Sequence, residues 1–258
     1  MAMMVSSTGQ LGVQMCQQRH KRLIMKHIFT LSLCFIALSL SVYGQNNYSM
    51  SFDGVDDYVS VNGMGGTYST FSFLTKARLV ADNFNQSLFY FGQESTSNNS
   101  TGSIDLTIDD INYDPAVLRI NLNFDNGSVE YQPLTLNSWV DVAGVFDGVN
   151  QMLYMYIEGQ LVSSTSTTVS EIVLTNNDSH KIGAGFASAN QSIANFFNGD
   201  IYNLAFFDKT LSQQEIQQYM NCPPSGDEAG LVGYWNFDEG SGTTAFDQTA
   251  NGNDGVIN

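Results

Sequence analysis

Residues 118–124 alternate strictly between apolar and polar side chains, and this alternation constrains the fold more than any other feature. Leu118, Ile120 and Leu122 fall on one side of an extended chain, and the residues between them are polar. The pattern returns in three other segments, at residues 48–52, 71–79 and 104–108. Strands with one buried and one wet face are typical of antiparallel sheets. The sequence therefore predicts an all-β protein.

A single segment carries the signals of a helix. Ser212 and Glu215 form an S-x-x-E capping box, and apolar residues follow at helical spacing until Pro223 ends the segment. No helix-length segment separates the predicted strands, which argues against a parallel α/β fold. The predicted architecture is a two-sheet antiparallel jelly-roll sandwich with one short C-terminal helix.

Residues 25–44 have the three parts of a secretory signal peptide. A basic start (Met-Lys-His) precedes an apolar run and the small residues that end at Gly44. The run is too short for a comfortable membrane span. We expect cleavage before Gln45, with an uncleaved anchor as the alternative, and we interpret residues 1–24 as a non-native upstream extension.

Charge limits the partners of the mature chain. Loss of residues 1–44 removes four of the nine Lys and Arg residues and none of the 25 Asp and Glu residues, which leaves a net charge of −20. Such a surface repels nucleic acid and anionic lipid and attracts cations. The sequence thus predicts a secreted protein, extracellular or at the cell surface, with no nucleic-acid partner and no membrane insertion after cleavage.

Several short segments follow one another in an order that is typical of one family. They are SFDGVDDYV at 51–59, NSWVDVAGVFDG at 137–148, LYMYIEG at 153–159, KIG at 181–183, FNGDIYNL at 197–204, and LS with EI within 211–216. Together they resemble the bacterial, secreted type of laminin G-like jelly-roll domain in the concanavalin A-like lectin/glucanase superfamily. The resemblance implies a jelly roll over residues 45–221, followed by a linker at 222–229. One departure is that Tyr202 and Asn203 stand where many members carry Asp-Glu.

Residues 230–258 resemble the segment that usually precedes the first strand of such domains, although here they follow the last one. We interpret them as the start of a second, truncated repeat, with permuted closing strands of the first domain as the alternative. Cys222 is the only cysteine after residue 44. We therefore expect it either to pair with a residue beyond Asn258 or to be a free thiol.

The residues predict a binding module rather than an enzyme. A glycosidase needs two carboxylates that flank the scissile bond, and no segment has the strand spacing that would place them. After residue 44 the chain has one histidine, His180, and no G-x-S-x-G motif, which argues against a nucleophilic triad or a zinc site.

The expected role is an extracellular, non-catalytic binding or adhesion module within a larger secreted protein. Its expected partner is a glycan or an extracellular protein, together with further domains of the same polypeptide beyond Asn258. The alternatives are a structural spacer without a ligand and a divergent glycoside hydrolase. Sugar binding would use exposed aromatic rings, for which the candidates are Tyr113, Tyr131 and Tyr154.

A structural calcium ion is the cofactor that the acidic residues predict. Asp53, Asp56 and Asp57 cluster at the end of a predicted strand, and Asp200 is the candidate to complete the site. The alternative is a solvated turn rich in Asp. Trp139 lies in the strand expected to be central, so we place it in the core and expect Trp139→Ala to cost about 3–5 kcal/mol.

Overall fold

The computed structural model describes residues 3–6, 48–81, 85–92, 102–109, 117–122, 127–131, 134–176, 180–186 and 192–258. The first ten strands are β1 (Met3–Ser6), β2 (Tyr48–Asp53), β3 (Val59–Val61), β4 (Gly66–Tyr68), β5 (Thr70–Leu79), β6 (Gln86–Gly92), β7 (Ser103–Asp109), β8 (Val117–Leu122), β9 (Gly127–Tyr131) and β10 (Trp139–Asp147). The next seven are β11 (Met152–Ile157), β12 (Gln160–Ser166), β13 (Ile172–Leu174), β14 (His180–Ile182), β15 (Gly185–Phe186), β16 (Ile193–Ala194) and β17 (Asn198–Phe207). Helix α1 (Gln213–Asn221) follows, and then β18 (Leu231–Trp235), β19 (Thr244–Ala245) and β20 (Gly255–Ile257).

Two eight-stranded antiparallel sheets dominate the described chain. Sheet A has the order β1-β2-β17-β5-β10-β11-β12, and β18 pairs with β17 outside this path. Sheet B has the order β19-β20-β3-β14-β6-β7-β8-β9. Two small ribbons, β13-β4 and β15-β16, lie beside them. Within the described residues, the predicted jelly-roll sandwich with one helix is confirmed.

The core between the sheets consists of the inward-facing residues that the alternation predicted. Phenylalanines dominate it, because a ring from one sheet reaches a ring from the other. Phe73 of sheet A meets Phe89 of sheet B edge to face, with ring centroids 4.9 Å apart. Phe91 of sheet B contacts Phe206 of sheet A at 5.8 Å. This packing fixes the two sheets relative to each other.

Helix α1 packs on the outer face of sheet A. Its start is the predicted capping box: Ser212 Oγ accepts the Glu215 N–H at 3.3 Å, and Glu215 Oε2 accepts the Ser212 N–H at 2.8 Å. Ile216 is fully buried in a small second cluster with Phe207 and Leu74 of the sheet.

The segment after the helix completes both sheets. β18 pairs with β17 of sheet A, and β20 pairs with β3 of sheet B. Trp235 is fully buried, and its Nε1–H donates to the Asn253 carbonyl at 3.0 Å. Residues 231–235 and 255–257 thus belong to the same two sheets as the strands that precede α1. Cys222 is disulfide-bonded in this structure.

Residues 7–47, which contain the predicted signal peptide, lie outside the described residues. β1 pairs antiparallel with β2 at one edge of sheet A. Among the residues that the structure describes, no helix has the length and apolar character to cross a membrane.

The prediction that Trp139 belongs to the core was wrong. Along β10 the inward phase is taken by Val140 and Val142, so Trp139 points to the outer face of sheet A and is only partly buried. The Arg78 guanidinium lies 5.3 Å from its ring centroid, and the Tyr202 ring meets it edge-on at 6.4 Å. Trp139 thus packs on a polar surface rather than between the sheets.

Candidate ligand-binding face and metal cluster

The outer face of sheet B carries a polar surface that runs across six strands. The strand register aligns one row of outward residues: Ser60, Lys181, Tyr90, Asp105, Asn121 and Ser128. A second row contains Ser87, Thr107, Arg119 and Glu130. We call these two rows the sheet B face. Their strand neighbours, such as Leu106 and Ile120, point into the core.

Aromatic rings enclose one end of the sheet B face. The Lys181 ammonium nitrogen lies 5.6 Å from the ring centroid of Tyr58 and 5.9 Å from that of Phe186. Phe186 also meets Tyr90 edge to face, with centroids 5.0 Å apart. Tyr58 and Phe186 are half-buried, so each presents part of a ring at the surface. Rings and a cation held together in this way suit a ligand with both apolar and hydroxylated sides.

The other end of the sheet B face consists of hydrogen-bonding side chains. Arg119 Nη2 and Glu130 Oε1 form an ion pair at 2.7 Å, and Asn121 Nδ2 donates to Thr107 Oγ1 at 3.2 Å. The Asn121 Oδ1 and Ser87 Oγ atoms are buried and have no hydrogen-bond partner among the described residues. A buried polar atom without a partner costs about 1–3 kcal/mol. A ligand hydroxyl group that donates to such an atom would recover this energy.

The sequence contains a signal for the sheet B face that our prediction of site residues did not use. Asp105 and Asn121 are the polar members of the two clearest alternating segments. Alternation shows that such residues point outward, but it does not show which outward surface stays uncovered. Only the structure shows that α1 packs on sheet A and that no helix among the described residues covers sheet B.

The predicted acidic cluster forms in the loop between β2 and β3. One carboxylate oxygen from each of Asp53, Asp56 and Asp57 lies within 4.8 Å of the other two. Asp57 is buried, and the other two are exposed. The loop closes on itself, because Asp53 Oδ1 accepts the Val55 N–H at 2.8 Å and Asp57 Oδ2 accepts the Asp53 N–H at 3.2 Å. Gly54 has φ +78°, which the tight turn requires.

This donor set fits a hard divalent cation. Calcium binds oxygens at about 2.3–2.6 Å, so two of its ligand oxygens lie at most about 5 Å apart. The separation within the cluster satisfies this limit. Three carboxylates at such distances also repel one another, and a cation between them would relieve the repulsion.

Asp200, the fourth predicted ligand, does not lie in this cluster. Its Oδ2 accepts hydrogen bonds from Arg78 Nε at 2.8 Å and Arg78 Nη2 at 2.6 Å. The register pairs Asp200 with Ser51, whereas the cluster residue Asp53 pairs with Asn198. The structure therefore brings together three of the four predicted metal ligands.

The three predicted tyrosines do not share a surface in the described residues. Tyr131 ends β9, packs partly buried against the core between the sheets, and points away from the sheet B face. Tyr154 lies on the outer face of sheet A, where it packs against the cluster beneath α1. Tyr113 lies outside the described residues.

A protein-family model and several solved structures match this chain. The Laminin_G_3 sequence profile, described as concanavalin A-like lectin/glucanases superfamily, matches residues 52–217. No curated protein shows a matching sequence.

Two solved structures illustrate the likeness of the fold. A candidate carbohydrate-binding protein from Bacteroides ovatus has a TM-score of 0.63 and 19% identity, over 81% of this chain and 57% of that one. The native heptameric SAP-like pentraxin from Limulus polyphemus has a TM-score of 0.56 and 12% identity, over 71% of this chain and 88% of that one. At such identities the likeness shows the fold alone, and this chain spans only 57% of the Bacteroides ovatus protein.

Proposed function

The chain belongs to the concanavalin A-like lectin/glucanase superfamily, and from this membership we propose that it is an extracellular, non-catalytic module that binds carbohydrate on the sheet B face. The observation that carries the proposal is the orphaned acceptor Asn121 Oδ1, which is buried on a face whose other end holds partly exposed rings. Sugars present hydroxyl groups to such acceptors and C–H faces to such rings.

The arrangement of carboxylates on the sheet B face supports a non-catalytic role. Asp105 and Glu130 are the carboxylates of its two rows, two strands and two residues apart in register. Standard strand spacings place their Cα atoms about 12 Å apart. The carboxyl groups of glycosidases lie about 5–9.5 Å apart, so these two side chains would have to lean toward each other to act on one bond. Glu130 is also held in its ion pair with Arg119.

The proposal includes secretion and a domain boundary. The mature chain begins at Gln45 after signal cleavage, which intact-mass measurement of the exported protein would check. The module extends to Asn258, because β18 and β20 supply strands to both sheets. A calcium ion bound by Asp53, Asp56 and Asp57 would stabilise the loop that leads to Tyr58 at the aromatic end of the face.

A glycan array probed with residues 45–258 tests the binding proposal. We expect the wild type to bind at least one glycan class, and Asn121→Ala and Tyr58→Ala to lose tenfold or more in affinity, about 1.4 kcal/mol. Thr168→Ala, an exposed position outside the face, is the matched control. Melting temperatures of all variants would show that the folds are intact.

Three outcomes would contradict the proposal in different ways. Binding that survives both face variants would move the site elsewhere. Loss confined to Tyr154→Ala or Tyr131→Ala would place it at the tyrosines that the sequence predicted. No binding to any glycan would favour the structural-spacer alternative.

A further inference from the structure

An open cleft of about 880 Å³ lies at the end of the sandwich, apart from the sheet B face. One wall is the chain from Asn62 through the β4 ribbon to Thr70, and the other is formed by residues 230–232 and 251–253 of the closing segment. We call this space the end cleft. Its volume falls within the range of about 300–1,000 Å³ that is typical of small-ligand sites.

Neutral hydrogen-bonding groups line the end cleft. Its side chains include the amides of Asn62, Asn176 and Asn251 and the hydroxyls of Thr67 and Ser69. Among the described lining residues, Asp208 is the one that carries a charge. The lining ring, Tyr68, is buried and donates its hydroxyl to the Met64 carbonyl at 2.9 Å. The cleft therefore offers hydrogen bonds without an aromatic platform or a positive charge.

Hydrogen bonds from buried and neighbouring side chains hold the walls of the end cleft in place. Asn176 Oδ1 accepts the Gly65 N–H at 3.0 Å, and Asn253 Oδ1 accepts the Met64 N–H at 3.3 Å. The buried His180 ring fixes the same loop, since its Nε2 lies 3.0 Å from the Gly63 carbonyl. Met64, a non-glycine residue, has φ +63° and is nevertheless buried. A backbone conformation that is costly for such a residue persists only where the surroundings enforce it.

We propose that the end cleft is a binding site for one neutral monosaccharide unit, distinct from the sheet B face. Amide and hydroxyl groups both donate and accept, so they match sugar hydroxyls, which also do both. An anionic ligand would meet the Asp208 carboxylate and no Lys or Arg among the described lining residues. An apolar ligand would strip water from the polar walls without replacing its hydrogen bonds. Preformed walls reduce the entropy that binding costs.

A two-dimensional amide NMR titration of residues 45–258 tests this site. The probes are D-glucose, D-galactose, D-mannose and N-acetyl-D-glucosamine at up to about 50 mM, which would detect millimolar dissociation constants. We expect at least one neutral sugar to cause saturable shifts at the amides of Gly65, Gly66 and Gly252. D-glucuronate, which carries a negative charge, should cause weaker shifts at the same amides.

Variants that fill the end cleft supply the control. Thr67→Trp and Ser69→Trp change exposed lining residues and should abolish the saturable shifts. Thr168→Trp adds the same ring at an exposed position outside the cleft and should leave them unchanged. Dispersed spectra would show that each variant is folded, and two independent filling variants protect the test against failure of one.

Several results would overturn the proposal. Absence of saturable shifts at the cleft amides, persistence of the shifts in both filling variants, or stronger binding of D-glucuronate would each reject the site. Shifts confined to residues of the sheet B face would also reject it while leaving the proposed function intact. Conversely, the Asn121→Ala and Tyr58→Ala variants test glycan binding on the sheet B face and leave the end cleft unchanged.

Discussion

Arg78 donates from both Nε and Nη2 to a single oxygen of Asp200, at 2.8 and 2.6 Å, and so joins β5 to β17 on the outer face of sheet A. The Asp200 side chain is 3% exposed, whereas that of Arg78 is 34% exposed. The same guanidinium lies over the Trp139 ring. Asp200 is thus neutralised by an arginine of the chain itself, which explains why it does not join the acidic cluster.

Removal of Arg78 should destabilise the fold, because Asp200 depends on its guanidinium for charge neutralisation. Arg78→Ala leaves a buried carboxylate without its cation, and we expect a loss of about 2–4 kcal/mol in the free energy of unfolding. The partly exposed guanidinium keeps the value below that of a fully buried pair. Urea denaturation measures it. Arg119→Ala is the control, since its partner Glu130 is 51% exposed and the expected loss is below about 1 kcal/mol. Equal losses in the two variants would contradict the prediction.

The two tryptophans should respond very differently to truncation. Trp235 is fully buried between the sheets, so Trp235→Ala should cost about 3–5 kcal/mol through loss of packing and a residual cavity. Trp139 packs on a surface with Arg78 and Tyr202, and Trp139→Ala should cost only about 1–2 kcal/mol. Chemical denaturation of both variants measures the difference. A larger loss for Trp139 would return it to the core.

Local patterns in the sequence predicted much of the fold, because each pattern has a direct physical cause. The alternation at Leu118, Ile120 and Leu122 reports one buried face of a strand, and the structure buries all three. The Ser212 and Glu215 spacing reports a helix start, and the capping box forms there. Such signals depend on neighbours in the chain and not on tertiary contacts.

The site was less accessible from the sequence, since it depends on contacts between distant segments. Asp200 and Arg78 are 122 residues apart, so their pairing could not be read from either one. The phase of β10 decides the position of Trp139: Val140 and Val142, on either side of Asp141, take the inward positions. The end cleft required both the Asn62 loop and the closing segment in place.

Asp238 should give the stability a distinct pH dependence. Burial raises its pKa to about 6, above the ordinary value of 3.8, although its Oδ1 accepts the Tyr48 N–H at 3.2 Å. The folded state therefore holds this proton more tightly, and the stabilisation is full below pH 4 or so and is lost as the pH rises through about 6. Asp238→Asn, which cannot ionise, should gain stability over the wild type as the pH rises from 5 to 7 or so.

Glu215 supplies a control of opposite sign for this measurement. Hydrogen bonds from Ser212 lower the pKa of Glu215 below its ordinary value of 4.5. Its stabilisation is present above that value and is lost as the pH falls through the lowered pKa. The stability difference between Glu215→Gln and the wild type should thus stay flat from about pH 5 to 7. Thermal melting across this range tests both variants, and a flat difference for Asp238→Asn would show that this carboxyl is not perturbed.

Calcium should stabilise the fold through Asp53, Asp56 and Asp57, whose carboxylate oxygens lie within 4.8 Å of one another. An ion that binds only the folded state adds RT ln(1 + [Ca]/Kd), about 2.7 kcal/mol at a hundredfold excess over Kd. We expect a higher melting temperature in millimolar calcium than in chelator, and no such difference for Asp56→Asn or Asp57→Asn. Glu171→Gln, an exposed carboxylate outside the cluster, should keep the full response. If the wild type melts at the same temperature in both buffers, the three aspartates form only a solvated turn, and their mutual repulsion is relieved by water instead.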